Sequence, residues 1–101
     1  MQAQPQTAGV QEEGCRALVI VCFGDDGAGL ARSQRAAEAG AIEAIVAAMQ
    51  AHSQEAGVQQ QGCVALGNVC CGTDAAGLAR KQRAADAGAI EAVVAAMRAH
   101  P

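Results

Sequence analysis

Apolar residues recur along this chain with the spacing of a helix. Ile42, Ile45, Val46 and Met49 stand at i, i+3, i+4 and i+7 and so share one helical face. Ile90, Val93, Val94 and Met97 repeat the pattern. Cys15, Leu18 and Cys22 form another face, matched by Cys63, Leu66 and Cys70. No apolar/polar alternation is sustained, and the Ala-rich runs are poor strand material, so an all-α fold is predicted. Long helices are expected over about 7–23 and 55–71, stopped by Gly24 and Gly72. Short helices follow over about 30–38 and 78–86 and end at Gly40 and Gly88, since Gly suits the left-handed residue that closes a helix. Medium helices carry the Ile42 and Ile90 faces. The order is long, short, medium, twice over: six helices. Ser53, followed by Glu55, is the expected N-cap of the second long helix. Gly14 and Gly62 lie inside the long helices, where Gly costs about 1 kcal/mol against Ala, so their use is steric, letting another helix come close.

The two halves are one unit written twice. Positions 6–52 set against 54–100 agree at 34 of 47 residues, with a period of 48. Such a period marks supersecondary units that stack on one another, and the 101 residues read as one domain of two units. Along the long helix the differences are not scattered. "GCRALVIVCFG" in the first unit becomes "GCVALGNVCCG" in the second, so Arg16, Val19, Ile20 and Phe23 are replaced by Val64, Gly67, Asn68 and Cys71. Those four positions form a single stripe along the long helix. The opposite, cysteine-bearing face is identical.

Composition narrows the chemistry. Half the chain is apolar, but Ala and Gly supply much of its bulk and there is one Phe with no Tyr or Trp, so the core is thin for its length. A net charge of −3 without a basic stripe makes nucleic acid an unexpected partner. The N-terminal stretch has neither a positive n-region nor an apolar h-region, and the apolar runs fall short of the ~20 residues of a bilayer span. The expectation is a soluble chain of the cytoplasm or nucleus with no membrane contact. Five cysteines in apolar helical runs read as buried thiols of a reducing compartment, with Cys71 the most accessible. "GDDGAG" at 24–29 lacks the alternating oxygens of a calcium loop and reads as an interhelix loop with an Asp cap. Cys70 and Cys71 point about 100° apart on a helix and have no His at zinc-like spacing. His52 and His100 end the medium helices, where a cation suits the helix dipole. Arg32, Arg35, Arg80, Lys81 and Arg83 decorate the short helices, with Arg35–Glu38 and Arg83–Asp86 as i, i+3 pairs on a solvated face. No catalytic constellation emerges, and no cofactor or metal is expected.

Three helices per unit, with "EAGAIEAIVAAM" followed by "VQQQGCVALGNVC", resemble armadillo repeats. The resemblance covers nearly the whole chain. It implies a right-handed α-solenoid whose long third helices line a concave groove that takes extended peptides or partner proteins without catalysis. Asn68 stands where the family places an Asn that pins a peptide backbone, and its twin is Ile20; the family's Trp position holds Val64 and Arg16. The family's unit runs short, medium, long. This chain opens on a long helix and closes on a short–medium pair, so both ends are expected to leave apolar faces uncovered.

Two functions follow. The first is a module that self-associates, as a homodimer or larger, through Arg16, Val19, Ile20 and Phe23 together with the open unit ends. Burying three such apolar side chains is worth ~1.5–3 kcal/mol each, against ~4–15 kcal/mol for association. One stripe hardly suffices; a two-fold dimer uses it twice, and the open ends add area. Either each chain completes the other's last unit or the concave faces meet around Phe23. The near-identity of the units and the shifted frame favour an engineered unit or a piece of a longer array. The alternative is capture of an extended peptide or protein along Arg16, Ile20, Phe23, Val64, Asn68 and Cys71.

Overall fold

Each unit folds as three helices separated by two tight corners. The computed structural model describes residues 7–101; Gln6, where the first unit begins by sequence, and the rest of the N-terminal stretch read for a signal lie outside the described residues. The first unit comprises α1 (Ala8–Val21), α2 (Gly27–Glu38) and α3 (Ala41–Ala51); the second comprises α4 (Ala56–Val69), α5 (Ala75–Asp86) and α6 (Ala89–Ala99). No strand occurs among the described residues, as the periodicity predicts.

The corners explain where the helices begin. Asp26 and Asp74 occupy the N-cap positions of α2 and α5, and their Oδ1 atoms accept from the backbone N–H of Gly29 at 2.8 Å and of Gly77 at 2.9 Å. A Cβ on Gly29 would lie 2.4 Å from the Gly24 carbonyl oxygen, and one on Gly77 2.5 Å from that of Gly72. Only glycine allows the chain to double back this tightly. The Asp caps draw three more residues into each helix than the apolar pattern indicated. At 12 residues α2 and α5 are therefore no shorter than α3 and α6, which have 11. Ser53 is not the cap of α4: Glu55 holds that position and makes no side-chain cap bond.

Equivalent helices lie side by side: α1 runs along α4, α2 meets α5, and α3 meets α6. The core sits between the units. Ile42, Ile45, Val46 and Met49 of α3 are sealed in one core with Val58, Ala65 and Val69 of α4, Cys15 of α1 and Cys22 just past its end. Gly62 fulfils its expected steric role, since a Cβ there would come within 2.7 Å of the Met49 side chain. Gln59 closes the seam: buried, its Nε2 donates to the carbonyls of Met49 and His52 at 2.9 Å each, satisfying C-terminal groups of α3 that the helix leaves open.

Polar contacts cross the same junction. Arg83 Nε reaches Glu43 Oε2 at 2.7 Å, joining α5 to α3. Its partner is thus across the junction and not Asp86, which instead accepts from Gln82. The guanidinium beside Glu43 holds that carboxyl below its ordinary value. Arg80 is buried, whereas the sequence pattern placed it on a solvated face. Its Nε donates to Val69 O at 2.8 Å, one terminal nitrogen to Cys71 O at 2.6 Å and the other to Gln34 Oε1 of α2 at 2.7 Å.

Candidate interaction surfaces

The stripe of differing residues on α1 is largely open. Phe23 is 71% exposed, and Ile20 and Arg16 are exposed beside it, as is Val64 on the neighbouring α4. Phe23, Asn68 and Cys71 share the lining of a shallow depression of about 310 Å³ with Cys22, Gly24 and Asp25. Of the seven expected contact residues, Arg16, Ile20, Phe23 and Val64 are exposed and Val19, Asn68 and Cys71 are half-buried. Val19 packs against the core, and its carbonyl accepts from Asn68 Nδ2 at 2.8 Å. The backbone carbonyl of Asn68 accepts from Ser33 Oγ at 3.1 Å. The amide that the armadillo resemblance assigns to a peptide backbone thus directs one donor to α1 of its own chain.

Two further apolar faces are bare, and both repeat a face that is sealed elsewhere in the molecule. Ile90 on α6 is 60% exposed and Met97 67%, whereas their twins Ile42 and Met49 are 0% and 2% exposed. Val94 is exposed and Val93 half-buried, where Val46 and Ile45 are buried. Ile90 and Val94 border an apolar groove of about 430 Å³ floored by Cys63, Leu66, Ala84 and Ala89. At the other end, Val21 of α1 is 51% exposed while its twin Val69 is fully buried; Val10 and Ala17 are likewise exposed where Val58 and Ala65 are buried. The offset frame forecast bare ends. It did not single out Val10, Ala17, Val21, Ile90 or Met97, although comparing each with its buried twin finds them.

Comparison with known proteins finds no match. That holds for family models, curated proteins and solved structures alike.

Among the described residues no group of three or more His, Cys, Asp and Glu side chains is gathered for a metal, and no helix is long and apolar enough to cross a membrane. All five cysteines are free thiols. Cys15 and Cys22 are buried; their twins Cys63 and Cys70 are half-buried, as is Cys71, because nothing covers α4 as α4 covers α1. Burial pushes the Cys15 thiol up to about 11, and pushes Cys22, Cys63 and Cys70 upward as well. A thiol reagent must reach the sulfur, and exposure is what separates the twins, so alkylation of the native, reduced chain at pH 8 and low chain concentration should modify Cys63, Cys70 and Cys71 first. Cys15 and Cys22 should react only after unfolding. Equal labelling of Cys15 and Cys63 by peptide mass spectrometry would contradict this asymmetry.

Proposed function

We propose that this chain is a non-catalytic protein–protein interaction module, two units of a right-handed α-solenoid of armadillo type, whose partner is another copy of itself. One observation carries this reading. The face formed by Ile90, Val94 and Met97 stands open, while the same residues in the first unit are sealed in the core shared with the second unit. Contiguous exposed apolar surface of this kind marks an interaction site in a soluble chain. The adjacency of like helices supports the stacked-unit reading. The alternative, an extended peptide from another protein, draws on the open Ile20, Phe23 and Val64. It is the weaker reading because Asn68 already directs one amide donor to Val19.

Size exclusion coupled to light scattering tests the proposal. The expected mass is at least twice the 10.1 kDa of one chain. A single-chain mass that persists at millimolar concentration sinks self-association and leaves the peptide reading.

A further inference from the structure

We infer that copies of this chain stack head to tail, the Val10–Ala17–Val21 edge of α1 of one copy seating on the Ile90–Val94–Met97 face of α6 of the next. This rests on the self-association reading above and adds which surfaces meet and with what polarity.

The molecule displays the proposed contact within itself. Val58, Ala65 and Val69 of α4 are buried in the core that they form with Ile42, Val46 and Met49 of α3. The identical residues Val10, Ala17 and Val21 stand open at one end, and Ile90, Val94 and Met97 at the other. Each end therefore carries one half of an interface whose assembled form occupies the middle of the chain. Applying the step that relates the first unit to the second once more brings the halves together. The α2 and α3 of the incoming copy then take the places that α5 and α6 hold on the first unit, so no new arrangement of helices is needed.

The polar contacts that cross the inner junction have their counterparts at the ends. Arg83–Glu43 becomes Arg35 of the incoming copy with Glu91, both exposed in the single chain. Arg80–Gln34 becomes Arg32 of the incoming copy with Gln82, also both exposed. All four residues are retained in type between the units. Arg32 is already aimed: it holds Val21 O at 2.7 Å and Phe23 O at 3.2 Å as Arg80 holds Val69 O and Cys71 O, and lacks only the partner that Gln34 supplies to Arg80.

The differing stripe fits the same geometry by a change of size on both sides. At the inner junction Asn68 lies against Val19. At the outer one the equivalent residues are Ile20 of the incoming copy and Gly67. Nothing lies within 4 Å of a Cβ placed on Gly67, so the larger Ile20 finds room there. This accounts for an exposed Ile where the second unit has Asn.

Such a contact joins two different surfaces, so it closes into a ring or runs on as a filament and never pairs two identical patches. That polarity supplies the test. Ala17→Glu blocks the head and Val94→Glu blocks the tail, like charges that cannot pair across a blocked junction, and both positions are exposed in the single chain. Each variant alone should run as a monomer in light scattering with helical circular dichroism unchanged. An equimolar mixture should form a 1:1 dimer through its one intact junction and stop there. Val21→Glu with Met97→Glu is the second pair, for use if either first variant loses helicity. If wild type associates and a single-blocked variant still does so, or if mixing restores nothing, head-to-tail stacking is wrong while self-association stands. If wild type itself is monomeric, both fall together.

Discussion

Ile42→Ala should destabilise the chain by about 2–5 kcal/mol, the usual range for emptying a sealed aliphatic site, while Ile90→Ala should change the unfolding free energy of the single chain by less than about 1 kcal/mol. The two isoleucines occupy equivalent places in units that agree at 34 of 47 positions, so propensity and local sequence are nearly constant between them. What differs is the neighbour. Ile42 is fully buried in the core between the units, whereas Ile90 is 60% exposed on α6. Urea unfolding at low chain concentration reads the difference directly as a shift in midpoint. At high concentration Ile90→Ala should act on association instead, raising the concentration at which the mass climbs. Equal losses at the two sites in dilute solution would mean that α6 is covered within its own chain.

The second large effect is expected at Arg80. Arg80→Ala should cost about 2–4 kcal/mol, because it strips donors from Val69 O and Cys71 O beneath a buried side chain and leaves Gln34 without its partner. Arg32→Ala removes similar bonds to Val21 O and Phe23 O at an exposed site, where water replaces the lost donors. The expected loss there is about 0.5–1 kcal/mol. Arg80→Met separates the two contributions: it keeps the stem against the core and removes only the donors. Urea midpoints for the three variants should therefore rank Arg32→Ala above Arg80→Met, and Arg80→Met above Arg80→Ala.

The elements that sequence reveals here are those governed by neighbours within a few residues. Ile42, Ile45, Val46 and Met49 announce a helix by spacing alone, and Gly40 and Gly88 mark its start with φ of 91° and 93°. The starts of α2 and α5 were harder, because an Asp cap recruits residues such as Gly27 and Ala28 that carry no apolar signal. Contacts across the junction were not legible. Nothing near Arg83 in the chain indicates Glu43, 40 residues away, and nothing separates buried Arg80 from exposed Arg32, whose local sequences nearly coincide.

The candidate surface was legible in part for a related reason. Reading the differences between units leads to Arg16, Ile20 and Phe23, which are indeed open. The apolar faces bare at the two ends lie in what the units share. Val21 and Val69 are the same residue in the same helical setting, and only the presence or absence of another unit decides which is core. Sameness in sequence conceals opposite burial.

The link from Ser33 through Asn68 to Val19 has a consequence for how the chain reaches its native state. Two helices as alike as α1 and α4 invite mistaken pairing as the polypeptide emerges, with one taking the other's berth. An exchanged α1 would present Ile20 where Asn68 belongs, and no side-chain amide would reach the carbonyl across from it. Asn68 is thus one of the side chains that tell the two berths apart, and replacing it with Ile would weaken that distinction.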